Sequence, residues 1–569
     1  MDEKENNMRT KVRDLPYSRF DMKVLEKALE KFIEAEKNAK SVDDVILARK
    51  EWLDVVDEFG TNYSLASSRY TLDTRNEFYL AEQEYYDEVS PMFNDYMTKY
   101  AKVMWDSKFR PELEKLLPET IYPSYECQMK SFSPEIIPDQ QEENALTTKY
   151  TQLLSQLTTE WRGEQKTIAY IRGFMEDSDR EVRKQAAEAI DRALASVSDQ
   201  LDSIYDDLVK VRTRMARKMG YENFIEMGYY RMGRIDYNRE MVAVFRDNVR
   251  KSLVPVISDM KRGVADALGI KDMKFYDNDI IEGEGNPRPY PDEKGILSGA
   301  QEMYKEMHPE IGDFMDSMIE ADAFDVTARD GKCGGGYCTT FDKFHQPFIF
   351  ANFNGSSGDI DVVTHEFGHA LAMNYVFECG DREVSIGSSE TAETHSMTME
   401  FFSWKYMDKF FKDVDRYHYT HLSNALTFIP YGIIVDEFQH IVYGNPDMTP
   451  AERNQAYLDL EKKYRPYLDY EGLPYLSKGT RWQYQSHIYE NPFYYIDYCL
   501  AQVVAFEFLQ EMQKDYDGAL KRYMDHCKRG GKYPFNKLVS LAGLKSPFED
   551  GALDEVAEVA KEIIATKRK

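Results

Sequence analysis

Apolar residues recur at three- and four-residue spacing along most of the chain. "VLEKALEKFIEAEKNA" and "VDDVILARKEWLDVVDEFG" each carry one apolar stripe, which predicts two amphipathic helices, the second stopped by Gly60. The stretch from about 73 to 110 holds few breakers and predicts one long helix. "SDREVRKQAAEAIDRALASVSDQLDSIYDDLVKVRTRMARKMGY" predicts a helix capped by Ser178 and running to Gly220. The expected organisation is a lobe of long antiparallel helices over 1–200 and a second helical region over 201–569.

The period breaks in two places. "IEGEGNPRPYPDEKG" (281–295) is rich in glycine and proline and reads as a loop. "GGGYCTTFDKFHQPFIFANFNG" (334–355) holds two aromatic, β-prone runs about a short polar stretch, so a hairpin is expected within about 334–353. Helical spacing resumes after Gly355, with no internal repeat. The fold class is therefore mainly α with one small sheet.

At 569 residues the chain exceeds a single core, which suits two or more lobes. Its net charge of −28 repels phosphates, so nucleic acid and anionic membrane are poor partners. Six scattered cysteines form no disulfide framework; Cys333 and Cys338 are close, but no second pair completes a structural zinc site. Free thiols, no apolar segment near the start and no run of membrane-span length together lead to an expected cytoplasmic location. Nothing in the chain fixes an oligomeric state.

Candidate chemistry concentrates in "DIDVVTHEFGHALAM" (359–373). Residues 359–378 predict one helix, with cap chemistry at Ser356–Asp359 and Gly380 past its end. His365 and His369 then project from one face and can reach one ion, at about 2.0–2.1 Å for zinc. Glu366 is turned about 100° away, where it flanks the ion and can accept a proton from water bound there. A catalytic zinc needs a third protein ligand. Ala372 and Tyr375 exclude H-E-x-x-H-x-x-G-x-x-H. A following helix, "GSSETAETHSMTMEFFSWKYMDKFF" (387–411), offers candidates, with Ser388 or Ser389 as cap. Glu393 and Glu400 are seven apart and share a face with Ser396 between them; His395 lies on another face. Glu400 suits a role behind a ligand imidazole, or that of an ordinary surface residue.

"HEFGHA" followed by "AETHSMTME" resembles the thimet oligopeptidase and oligoendopeptidase F family of zinc peptidases, with "DREVRKQAAEA" similar to its oligoendopeptidase F branch. The likeness spans most of the chain and is sharpest from about 330 to 500. It implies two helical lobes enclosing a deep central channel, one zinc ion per chain, and Glu393 of the E-x-x-S-x-x-x-E frame as third ligand. It also implies that "SHIYENPFYYIDYCLA" supplies donors to the reacting carbonyl: His487 and Tyr498, with Tyr494 or Tyr495 beside them. Asn491 and Pro492 suit the N-cap and first position of a helix carrying these tyrosines. The implied activity is endopeptidase cleavage of short, unstructured peptides, with Glu366 as general base. The same ion chemistry would serve a hydrolase of non-peptide amides or a carboxypeptidase-like exopeptidase. A helical scaffold without catalysis would lack the base or a ligand, and here both are present.

Overall fold

The computed structural model describes residues 10–567, other than 156, 282, 284, 330, 380, 382, 385 and 386. Among them helices dominate, and five short strands form two small sheets. The chain forms two compact units, each assembled from three stretches. One comprises Met1–Met129, Arg288–Lys412 and Glu511–Leu544; the other comprises Lys130–Pro287, Asp413–Gln510 and Lys545–Lys569. This grouping follows space rather than chain order, and so cuts the sequence elsewhere than at residue 200.

In the first unit, helices Met22–Asn38, Val42–Leu72 and Glu77–Asp106 pack around Leu25, Phe32, Trp52, Tyr86 and Tyr100. Ser41 and Asp44 close a capping box on the second helix. Gly60 does not stop that helix. Phe59, Leu65 and Ala66 continue its buried stripe, so packing carries it through the glycine to Leu72. The long helix expected from 73 starts later, at Glu77, because Asn76 caps it, and it tolerates Pro91 in its interior.

The hairpin exists, with strands Tyr337–Phe341 and Gln346–Phe353 antiparallel. A third strand, Phe324–Thr327, pairs parallel to Gln346–Phe353 and makes that strand central, almost wholly buried. It gave no sequence signal, being four residues long.

In the second unit the helix expected from Ser178 to Gly220 is two helices, Arg180–Ala195 and Ser198–Lys218. Asp179, not Ser178, caps the first. The Ser196 hydroxyl donates to the Ala193 carbonyl at 2.6 Å, a local bond that competes with the helical ladder at the break. Gly220 does end the second helix, in the left-handed conformation (φ 89°). The unit also holds a hairpin, Thr158–Trp161 with Glu164–Thr167, which its polar sequence did not announce.

One buried network of the first unit bears on the site. Arg49, 6% exposed, bonds Asp381 through Nη2 at 2.7 Å and Glu383 through Nε at 2.6 Å. Tyr100 and Tyr125 donate to the same Glu383 carboxylate at 3.0 and 2.9 Å. This ties the link between helices Gly358–Cys379 and Ser389–Phe402 to the N-terminal helices. Removing one partner of a buried ion pair strands the other charge, so Arg49→Met should lower stability by about 3–5 kcal/mol. Lys50→Met, at the exposed Lys50–Asp54 pair, should cost less than about 1 kcal/mol. Urea denaturation followed by circular dichroism reads both; equal losses would show that the Glu383 network anchors nothing.

Candidate active site

The first site helix runs Gly358–Cys379, one residue beyond the expected span at each end, and the expected stop at Gly380 lies outside the described residues. Its start is fixed to the central strand: the Asp359 carboxylate accepts from the backbone N–H of Asn354 at 2.9 Å and of Gly355 at 2.7 Å. Its inner face buries Val363, Phe367, Ala370 and Leu371. This leaves His365 and His369 side by side, their ring centroids 5.0 Å apart.

The second site helix, Ser389–Phe402, follows Ser388. It does not continue to 411; a 3₁₀ segment, Ser403–Lys409, takes over. The two helices meet at Gly368. A Cβ there would stand 2.7 Å from the His395 carbonyl oxygen and 2.8 Å from Ser396 Cα, both backbone atoms that cannot step aside. The Tyr523 hydroxyl donates to that same carbonyl at 2.8 Å and pins it from behind.

This close approach carries Glu393 to the histidines. Its Oε2 lies 3.3 Å from His365 Nε2 and 3.5 Å from His369 Nε2. One ligand-type atom from each residue lies within 4.8 Å of the others. Atoms bound tetrahedrally to one zinc at about 2.0–2.1 Å stand about 3.3–3.4 Å apart, so the donor set and its spacing fit such an ion. Ser396 Oγ donates to Glu393 Oε2 at 3.0 Å and steadies the carboxylate. Glu400 Oε1 lies 2.7 Å from His365 Nδ1 and directs Nε2 toward Glu393. The Nδ1 of His369 is buried with no such partner among the described residues.

The electrostatics follow from these contacts. Burial opposes charge on His365, but its bonds to Glu393 and Glu400 hold its proton affinity well above the ordinary histidine value. Burial pushes the Glu393 carboxyl up, yet the two imidazoles hold it well below the usual carboxylate range. Glu366, 7% exposed, is shifted the other way, raised chiefly by burial. Gly336 lies beside it: a Cβ there would come 3.7 Å from Glu366 Oε1 and 3.1 Å from Val362 Cγ1. His395 takes no part in the group; it is fully buried against His526, ring centroids 5.2 Å apart.

The other expected residues lie in the second unit. His487 is within a short helix, Ser486–Glu490, and not on a connection. Asn491 ends that helix rather than capping the next, since its N–H bonds the His487 carbonyl. The next helix, Tyr495–Lys514, begins only after Phe493, whose left-handed backbone (φ 68°) breaks the run, so Tyr494 stands before it. The rings still assemble. Tyr494 lies parallel to His487 at 5.8 Å between centroids, and Tyr495 and Tyr498 meet it edge-on at 4.9 and 6.1 Å. Gln485 Nε2 donates to His487 Nδ1 at 2.9 Å, which leaves the proton of the neutral ring on Nε2. Gln485, Gly336 and Gly368 went unread in the sequence; of these only Gly368, inside the motif, carried a signal, as a glycine in mid-helix.

Gly368→Ala should force the helices apart, with an overpacking cost of about 1–3 kcal/mol. Bound metal per chain should fall with it, because Glu393 moves off the histidines. Thermal melting with elemental analysis checks both; full metal content in a normally stable Gly368→Ala chain would refute the contact.

The Peptidase M3 N-terminal domain family matches residues 12–132, and Peptidase family M3 matches residues 173–558. Oligopeptidase PepF of Bacillus subtilis (strain 168) is 23% identical over 394 residues, 66% of this chain. The match spans only 56% of that curated relative's length. The solved structure of PZ peptidase A with inhibitor 2 superposes with a TM-score of 0.92 at 41% identity, covering 98% of this chain and 99% of that one. A structure described as an oligoendopeptidase F of Bacillus anthracis str. Ames gives 0.88 at 38% identity, with 99% of each chain covered. With more than half its length matched by one family and its whole length by these structures, the chain belongs to peptidase family M3.

Proposed function

We propose that this chain is a zinc-dependent endopeptidase that hydrolyses short, unstructured peptides inside the cell. The observation that carries the reading is the convergence of His365, His369 and Glu393 with the Glu366 carboxylate beside them. Those three residues would hold one zinc ion, which when bound supplies Lewis-acid chemistry, polarising a carbonyl and making water a stronger acid. Glu366 takes a proton from the attacking water and returns it to the departing amine. Its raised proton affinity suits this exchange, since a carboxylate of ordinary affinity is a weak base for water. Glu400 holds a proton of His365 on Nδ1, so that Nε2 is the atom left to offer a lone pair once its own proton is displaced. His487 through Nε2–H and Tyr498 through its hydroxyl are assigned as donors to the carbonyl oxygen as negative charge develops on it, with Tyr494 beside them.

Substrate recognition follows from the sheet. Among the described residues, strand Tyr337–Phe341 pairs on one side, with Gln346–Phe353. An extended peptide adding to that edge is held by its main chain, which tolerates many side chains. Folded proteins, with no free strand to offer, are expected to survive. The six cysteines are all free thiols, in keeping with a reducing compartment.

Glu366→Gln should lose about 10²–10⁴ in kcat/KM while keeping its metal. A chelator should abolish wild-type turnover and added zinc restore it. Cleavage of a quenched fluorescent peptide, with metal analysis of the same samples, measures this; a zinc-loaded Gln variant working at the wild-type rate removes Glu366 from the mechanism. His487→Asn or Tyr498→Phe should each cost about 10²–10³ in kcat, and an unchanged kcat would withdraw the donor assignment for that residue.

A further inference from the structure

Strand Gln346–Phe353 is buried along its length except at Asn352, which is half-buried. The Asn352 amide serves one neighbouring turn. Its Nδ2 donates to the Cys333 carbonyl and to the Gly335 carbonyl, each at 2.9 Å. Both acceptors are carbonyl oxygens, so the nitrogen is the end of the amide that can face them.

These two bonds set the direction of the turn. In a planar trans peptide unit the C=O and the N–H point opposite ways. Drawing in the carbonyls of 333 and 335 therefore turns the N–H groups of Gly334 and Gly336 away from Asn352. Gly334 and Gly336 are exposed, and among the described residues neither N–H meets an acceptor. Gly335, between them, holds a left-handed backbone (φ 88°) that suits glycine. The flanks are fixed by other means. The Gly331 carbonyl accepts from the Thr74 N–H at 2.7 Å and the Thr74 hydroxyl at 2.8 Å, and the Cys333 N–H donates to the Thr71 carbonyl at 2.8 Å. Tyr337, where the edge strand begins, meets the Thr71 hydroxyl through its own at 2.6 Å. All these residues belong to the first unit. Between Cys333 and Tyr337 run three consecutive glycines, which unheld would sample many conformations, and Asn352 bonds the first and last of their carbonyl-side anchors, 333 and 335.

The turn also lies next to the proposed general base. Gly336 directly precedes strand Tyr337–Phe341, and a Cβ on it would stand 3.7 Å from Glu366 Oε1. We propose that Asn352 is a positioning residue, which holds the Gly334 and Gly336 N–H groups as two donors to main-chain carbonyls of a peptide paired to the edge strand. This rests on the peptidase reading. Donors fixed before the peptide arrives have less freedom to lose, so Asn352 acts on how tightly the peptide binds.

Asn352→Asp keeps the shape and puts a carboxylate against both carbonyls, which it repels. Peptide cleavage by the zinc-loaded variant should show KM raised about tenfold with kcat within about twofold of wild type, the pattern of lost uniform binding. A merely structural role would not single out particular substrate carbonyls, so a second readout uses peptides in which one non-scissile amide at a time becomes a trans-alkene, which has no carbonyl oxygen. At one or two positions the alkene should raise the wild-type KM about threefold or more, and in Asn352→Asp the same change should have less than about a twofold effect. Gly335→Ala is a second variant: a Cβ there meets nothing within 4 Å, but the left-handed backbone strains alanine, so the turn shifts without disturbing the core. It should raise KM in the same way and carries the alkene comparison if Asn352→Asp does not fold. Gly163→Ala, equally left-handed and open on the hairpin of the second unit, should leave KM unchanged. Unchanged KM in both turn variants, a fall in kcat at constant KM, or alkene penalties that simply add to those of the variants overturns the proposal, while wild-type cleavage leaves the peptidase reading standing. No cleavage of any peptide by the zinc-loaded wild type overturns both.

Discussion

The backbone contact at Gly368 is the constraint on which the candidate site depends. Two helices ordinarily pack with side chains between them, at axis separations of about 8–10 Å. Here the absent Cβ lets the His395–Ser396 backbone settle directly on the histidine helix. Glu393, two residues before His395, is thereby brought to 3.3 and 3.5 Å from two imidazole nitrogens. A glutamate could reach them from farther away only by extending its side chain, with more freedom to lose on binding an ion. The close approach is held from both sides. Tyr523 bonds the His395 carbonyl, and Arg49 clamps the connecting segment through Asp381 and Glu383. Rigid support of this kind turns three separate side chains into one preorganised group.

Within that frame, two buried carboxylates are driven in opposite directions. Both lose water, which alone would raise both. Glu393 faces the imidazoles and accepts the Ser396 hydroxyl, and these contacts outweigh its burial. Glu366 points off the histidine helix at a different angle from the two imidazoles, and burial wins there. One group is thus suited to remain an anion and hold a cation, and the other to exchange a proton. Separated proton affinities of this sort mark the division of labour between acid–base groups in a single site. Gly336 contributes by what it lacks, since a Cβ there would press on Val362, which lies beside Glu366.

How much of this was legible depended on whether the signal was periodic. The helix bearing His365, Glu366 and His369 was readable to within a residue at each end because caps and spacing agree. The seven-residue interval from Glu393 to Glu400 placed both on one face, and the structure sets both against His365. Signals carried by single residues misled. Gly60 reads as a stop only if its neighbours do not pack, and they do. Asn491 and Pro492 have the chemistry of a helix start, but Phe493 turns left-handed and delays it. Strand Phe324–Thr327 and hairpin Thr158–Thr167 were invisible because four-residue runs are too short to show a period. Gln485 could not be found from sequence at all, because its interest lies in the partners it has in space.

The ring cluster of the second unit shows how such partners sort similar residues. Tyr495 meets Phe428 and Tyr431 as well as His487, and burial holds its hydroxyl proton tightly, which suits a wall. Tyr498 touches His487, Tyr494 and Tyr495 together, so it stands at the centre of the cluster. Tyr494 lies parallel to the imidazole, offset at 5.8 Å between centroids. The orientation of His487 is then set by the Gln485 amide, with the tyrosine rings packed around it. As the amide is placed, its oxygen accepts from the Tyr431 hydroxyl and its N–H turns to Nδ1. A histidine so held presents a donor at Nε2 without reorganising, which is the condition under which a single hydrogen bond contributes most to a developing oxyanion.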